Sequence, residues 1–360
     1  MQKTYIIAEA GVNHNGSLDL AKQLVDAAVE TGADAIKFQT FKAAAIVNRS
    51  AVKADYQKQN TNNSTESQLA MLERLELDLM AHEVLLAYCA QRQITFLSSP
   101  FDLSSLDLLL NTGQLSRLKI ASGEITNAPL LLRAAASRQP IILSTGMSTL
   151  AEVEQALGVL AFGYMQMGAV VSRAAFADSY ASATGQAALR QQVILLHCTT
   201  EYPAPFDEVN LRAMETLHAA FQLPVGFSDH TPGINIAIAA VARGAVLIEK
   251  HLTLSQTLPG PDHKASLEPP AFKAMVTGIR EVELSLGDGL KLPAASEVKN
   301  RPIARKSLVA AQAIRQGDTF TEHNLTSKRP GHGISPLYYW DYLGRQAGRD
   351  YQADELIEPS

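Results

Sequence analysis

Cysteine is scarce: Cys89 and Cys198 are the only two in 360 residues, and no CxxC pair occurs. That excludes a disulfide framework and a thiolate metal site, and it fits a reducing, cytoplasmic compartment. An excess of basic charge is also lacking. With 31 Lys and Arg against 36 Asp and Glu, the net charge is −5, which excludes a general nucleic-acid binder but leaves room for a local basic pocket. No apolar run is long enough to span a bilayer. The opening MQKTYIIAEAG has no basic flank ahead of a long apolar stretch, so neither a membrane span nor a signal peptide is expected. No GxGxxG turn follows the first apolar run, which argues against an open dinucleotide-binding sheet. What the chain does have is 46% hydrophobic residues and only 19% charged ones, enough for a sizeable core and too little charge for disorder.

Short β-branched apolar runs alternate with amphipathic stretches, the pattern of repeated βα units around a parallel sheet. Strands are expected at residues 5–8, 35–39, 94–98, 117–120, 140–144, 193–197, 224–228 and 246–250. Helices are expected at 18–31, 80–92, 104–111, 128–137, 150–162, 211–221, 234–243 and 269–286. Eight strands with intervening helices close into a (β/α)8 TIM barrel more readily than they form an open doubly wound sheet. Two stretches exceed a minimal barrel. Residues 41–76 are polar and read as a functional loop or a partly helical excursion. Residues 163–192, rich in Ala, Ser and Gly, read as an insertion that elaborates the surface. The texture changes after residue 286. Residues 1–286 read as the barrel, 287–302 as a polar linker, and 303–360 as a small domain with short strands and little helix.

Catalytic groups of such a barrel come from the C-terminal ends of its strands. Those ends read Glu9 with GVNHNG, Lys37 and Gln39, KIASGE, Ser144 of LSTGM, HCTTEYP, SDHT and EKHL. His230 and His251 follow neighbouring strands, each with a polar companion two residues earlier, Ser228 and Glu249. Adjacent strands lie about 4.8 Å apart, so two imidazoles can reach one divalent ion such as Mn²⁺, Zn²⁺, Co²⁺ or Fe²⁺. His197 is read as support for the sixth-strand loop rather than as a ligand. Lys37 and Lys119 sit within barrel strands, where a lysine needs a partner. The partner is either a salt bridge to Glu9 or Glu124, or a bound anion. With Ser122, Ser144, Ser228 and glycine turns nearby, a phosphate clamp is favoured over a Schiff-base amine. Glu9 is read as a general base, an acceptor for a sugar hydroxyl, or the partner of Lys37. Asp262, in the loop after the eighth strand, is placed to bind substrate hydroxyls.

In order along the chain stand EAGVNHNG, IKFQTF, KIASGEITN, IILSTGM, LLHCTTEYPAPF, GFSDHTPG, IEKHLT, GPDHKASLEP and KRPGHGISP. This series resembles the N-acetylneuraminate (sialic acid) synthase family, which includes bacterial legionaminic acid synthases. The resemblance covers residues 5 to about 356 apart from 163–192. It implies a (β/α)8 barrel joined to a C-terminal antifreeze-like (SAF) domain. It also implies a divalent metal on His230 and His251, usually Mn²⁺ with Mg²⁺ or Co²⁺ as substitutes. Lys37, Lys119, Ser122, Ser144 and Ser228 would hold phosphoenolpyruvate, and Thr200 stands where some members carry Asn. Glu9, Gln39, Tyr202 and Asp262 would meet the sugar, with Glu9 and Glu249 orienting the aldehyde and the water. Arg329 would reach the sugar's acyl group from the small domain of a second copy, making a domain-swapped homodimer.

The expected reaction joins phosphoenolpyruvate to an N-acetylated hexosamine and releases phosphate by C–O cleavage. N-acetylmannosamine is the leading sugar, and 2,4-diacetamido-2,4,6-trideoxy-mannose, which would give legionaminate, is the alternative. A metal-dependent pyruvate aldolase leaves Lys37 and Lys119 without a phosphate. A free carbohydrate-binding module does not fit the tether to a polar-mouthed barrel.

Overall fold

The computed structural model describes residues 3–48, 51–61, 66–165, 168 and 170–359. They form two compact units, Met1–Gly287 and Asp288–Ser360. In the first unit eight parallel strands run β1 (Tyr5–Gly11), β2 (Ala35–Thr40), β3 (Thr95–Pro100), β4 (Leu118–Ile120), β5 (Ile141–Ser144), β6 (Val193–Cys198), β7 (Val225–Asp229) and β8 (Leu247–His251). Their order is β3-β2-β1-β8-β7-β6-β5-β4, every ladder parallel, with β3 lying beside β4. This is a nearly closed (β/α)8 barrel, as the eight apolar runs predict.

Local chemistry sets the helix ends. Leu18–Thr31 starts at Ser17, whose hydroxyl accepts from the Leu20 N–H. It stops at Gly32, which takes a left-handed φ of 83° and returns its N–H to Ala28 and Val29. Asp78, Asp102 and Asn127 cap Leu79–Gln91, Leu103–Asn111 and Ala128–Ala136 in the same way. The buried faces of these helices close over the outside of the barrel in one apolar cluster that includes Leu24, Leu85, Leu106 and Leu130, joined by Phe272 of the helix Pro269–Ser285.

Inside the barrel the pleat decides what is apolar and what is reactive. Ile7, Ala35, Leu97, Ile142, Leu196 and Leu247 make a separate buried cluster. Two residues further along each strand, the same inward positions are Glu9, Lys37, Ser99, Ser144, Cys198 and Glu249. An apolar plug therefore floors a polar mouth. Gly226 helps seal the plug, because a Cβ there would lie 2.5 Å from the Leu247 carbonyl oxygen.

Both long excursions are largely helical. Residues 41–76 hold the short helices Ala43–Ile46, Asp55–Thr61 and Gln68–Glu73, with 49–50 and 62–65 outside the described residues. The stretch expected as an insertion at 163–192 begins later than read. The barrel helix runs on through Leu150–Met165, because Gly163 lets it approach Ala128–Ala136, where a Cβ would meet that of Ala135 at 2.6 Å. Arg173–Ala181 and Ala183–Gln192 then pack on that helix; residues 166, 167 and 169 lie outside the described residues. Among the described residues no helix is long and apolar enough to cross a membrane.

The second unit pairs β9 (Ser307–Ala310) with β10 (Leu325–Lys328) antiparallel. Its own small core comprises Leu308, Ala310, Ile314, Phe320, Leu325, Tyr342, Ala347, Tyr351 and Ile357.

Candidate active site

At the C-terminal mouth of the barrel lies a cavity of about 410 Å³. Four charged side chains cross its floor, all nearly fully buried. Lys37 Nζ stands 2.5 Å from Glu9 Oε2 and 3.7 Å from Glu249 Oε2, while Lys119 Nζ stands 3.3 Å from Glu249 Oε1. Ser99 Oγ accepts from Lys37 at 3.2 Å, and Ser228 Oγ donates to Glu249 Oε1 at 2.8 Å. Strand register builds this quartet, since Glu9 pairs with Lys37 on one side and with His251 on the other. Glu124, the other carboxylate considered for a lysine, instead accepts from Asn127 Nδ2 at 2.7 Å.

The two carboxyls differ. Burial pushes Glu9 up, to about 7, against the pull of Lys37. Burial acts on Glu249 in the same sense, but Lys119 and Lys37 outweigh it and hold that carboxyl at about 2. Burial lowers Lys119 by more than Glu249 restores. At Lys37 burial is overcome by Glu249 and Glu9, and the net shift is upward. The two buried lysines thus face one firmly ionised carboxylate, Glu249, and one that is partly protonated near neutral pH, Glu9.

Above this floor the imidazoles of His230 and His251 face each other with ring centroids 5.6 Å apart, and the Tyr202 ring lies 4.2 Å and 5.6 Å from them. His230 Nδ1 sits 2.6 Å from the Thr199 carbonyl oxygen, which can only accept. The Nδ1 proton is thereby fixed, which leaves Nε2, 3.4 Å from Ser228 Oγ, as the acceptor nitrogen of the ring. Burial drives His230 down to about 4 and His251 well below its usual range, so both rings are neutral, the form that binds a metal. Among the described residues no group of three His, Cys, Asp or Glu gathers. The two neutral, facing imidazoles could supply two nitrogens to a divalent ion.

Glycines shape the rim. β1 bulges between Glu9 and Gly11, and Gly11 turns at φ 52°, where a Cβ would crowd Glu9, Gln39 and His251. A Cβ on Gly146 would come within 2.5 Å of Thr200 Oγ1 and 2.8 Å of Ser122 Oγ. The Gly146 N–H donates to that Ser122 Oγ at 3.0 Å.

A family model described as the NeuB family matches residues 24–291, and the SAF domain matches residues 305–360. The chain belongs to the NeuB family. That family condenses phosphoenolpyruvate with a sugar, and its members are transferase-type enzymes. The chain is 52% identical to the N,N'-diacetyllegionaminic acid synthase of Campylobacter jejuni subsp. jejuni, over 99% of both chains. It is 43% identical to the protein of that name from Legionella pneumophila, over 98% of this chain and 93% of that one. A crystal structure of N-acetylneuraminic acid (sialic acid) synthetase from Leptospira borgpetersenii, in complex with citrate, superposes with a TM-score of 0.67. It is 32% identical, covering 83% of this chain and 90% of that one.

On this NeuB-family barrel, Glu9, Lys37, Gln39, Lys119, Ser122, Ser144, Thr200, Tyr202, Ser228, His230, Glu249, His251 and Asp262 all line the one cavity. His197 does not, and its Nε2 donates to the Val209 carbonyl oxygen at 2.7 Å, below the sixth-strand loop. Arg329 belongs to the second unit, where its Nε donates to the Ala304 carbonyl oxygen. Sequence reading missed the apolar side of the cavity. Val12, Phe41, Met71 and Leu75 form a buried cluster, with Ile46, Leu72 and Phe101 packed on it, and all seven line the cavity. The signal lay in Met71 and Leu72, on the helix Gln68–Glu73, and Leu75 just beyond its end, three large apolar residues close together in a stretch whose composition is polar.

Proposed function

We propose that this chain condenses phosphoenolpyruvate with 2,4-diacetamido-2,4,6-trideoxy-mannose and water, giving N,N'-diacetyllegionaminate and inorganic phosphate. One observation carries the reaction class: the buried Lys37–Lys119 floor and the His230–His251 pair share a single cavity. A phosphorylated acid and an electrophile needing Lewis-acid help can meet there. The identity of 52% to a legionaminate synthase across the whole chain favours this sugar over N-acetylmannosamine.

In this reading His230 and His251 hold a divalent ion, Mn²⁺ first among the choices, and bound there it supplies Lewis acidity to the sugar aldehyde. Lys37 and Lys119, with Ser122, Ser144, Thr200 and Ser228, bind the phosphate and carboxylate of phosphoenolpyruvate. Gln39, Tyr202 and Asp262 orient the open-chain sugar. The enol carbon bonds to the aldehyde carbon, water adds to the former enol C2, and the C–O bond to phosphate breaks. Glu9 and Glu249 orient the aldehyde and that water. A domain-swapped homodimer brings Arg329 to the sugar's acyl group in the barrel of a second copy.

The test is phosphate release from phosphoenolpyruvate with Mn²⁺ and each sugar in turn. Release that is at least tenfold higher in kcat/KM with the diacetamido sugar supports the reading. A preference for N-acetylmannosamine would make the enzyme a sialic acid synthase. No release from folded, metal-loaded protein with either sugar would overturn the reaction class.

A further inference from the structure

The cavity has two unlike sides. The strand ends supply a charged and polar floor that includes Glu9, Lys37, Lys119 and Glu249, whereas the loops after β1, β2 and β3 add the apolar side chains Val12, Phe41, Ile46, Met71, Leu72, Leu75 and Phe101, together with the amides of Gln57 and Gln68. Val12, Phe41, Met71 and Leu75 are buried and form the base of the apolar side, and the half-buried Ile46, Leu72 and Phe101 carry its open face. None of these seven side chains can donate a hydrogen bond, and only the weak thioether sulfur of the buried Met71 can accept one. β3 stands four strands from β7 in the barrel order, so the Phe101 end of this face lies across the mouth from His230.

Resting on the reaction proposed above, we infer that the apolar face is the specificity element for C6 of the sugar, accepting the methyl of a 6-deoxy hexosamine and rejecting a 6-hydroxymethyl. The aldehyde carbon C1 must lie at the imidazole end, so an open six-carbon chain carries C6 toward the opposite wall. A methyl there exchanges water for Ile46, Leu72 and Phe101, whereas a C6 hydroxyl loses its water against the same three side chains. An apolar pocket discriminates against an added hydroxyl by roughly 10²-fold, which sets the scale. The residues 41–76 thereby have a function beyond covering the barrel: Ile46 comes from Ala43–Ile46, and Met71 and Leu72 from Gln68–Glu73.

The deciding comparison uses two sugars that differ only at C6, N-acetylmannosamine and 2-acetamido-2,6-dideoxy-mannose, with phosphate release as the readout. The wild type should favour the 6-deoxy sugar by on the order of 100-fold in kcat/KM. Leu72→Gln and, independently, Ile46→Thr should each cut that ratio by about tenfold while leaving the KM for phosphoenolpyruvate unchanged. Leu72→Met, which keeps the surface apolar, should retain the ratio. Active variants whose ratio matches the wild type, or a wild type indifferent to the C6 hydroxyl, would overturn this inference and leave the reaction class standing. A wild type that releases no phosphate with any sugar would remove the reaction and this inference together.

Discussion

Lys250 and Asp229 form an ion pair with no surface exposed to water: Nζ lies 2.8 Å from Oδ2, and both side chains are 0% exposed. The two are register partners on β8 and β7, each one residue before a histidine of the cavity. They point to the opposite face of the pleat from Ser228 and Glu249, and so stay out of the cavity. Lys250 also donates to the Thr231 carbonyl oxygen, and Asp229 accepts from the Thr231 N–H and hydroxyl. The pair thus ties the end of β7, the turn beyond it and β8 together, and with them the spacing of His230 and His251.

Breaking that pair on one side should be severe. Lys250→Met strands a buried carboxylate and should cost about 3–5 kcal/mol in urea denaturation, whereas Lys250→Met with Asp229→Leu should recover much of the loss. If the single and double variants are equally destabilised, the uncompensated charge is not the cause.

His251→Ala should abolish metal-dependent turnover, with a fall on the order of 10³-fold in kcat. Addition of Mn²⁺ should raise the Tm of the wild type and leave that of the variant unchanged, a readout independent of catalysis. Wild-type turnover by the variant in the presence of Mn²⁺ would remove His251 from the metal assignment.

Asp262 couples stability to pH. Its carboxyl is raised from 3.8 to about 6, chiefly by burial. Between about pH 4 and 6 the folded protein keeps a proton that the unfolded chain has lost, so this group lowers stability as pH rises through that window. Asp262→Asn removes the charged form. Metal-free variant should therefore exceed the wild type by up to about 3 kcal/mol at pH 8, with the gain gone near pH 4. Its KM for the sugar should rise, because Asn cannot replace the carboxylate as a double acceptor.

Arg329→Ala should raise the KM for the sugar roughly tenfold or more, the worth of one hydrogen bond to a charged group, and leave that for phosphoenolpyruvate within about twofold. Unchanged sugar kinetics would take the second unit out of the site.

The sequence by itself was enough for the strands, the barrel and the polar residues at the strand ends. A parallel strand buried on both faces must read as an apolar run, and ionisable groups survive among such runs only where strands open to the mouth. Glu9, Lys37, Glu249 and His251 were legible for that reason. Tertiary structure alone decided which partner each group takes. Lys37 meets Glu9 and Glu249, while Glu124 turns to Asn127, because cross-strand register and side-chain reach, not spacing along the chain, set the distances. It also decided the apolar side of the cavity. Val12, Phe41, Met71 and Phe101 come from three separate loops, and residues 60 apart in sequence share a wall only because parallel pairing sets β1, β2 and β3 side by side.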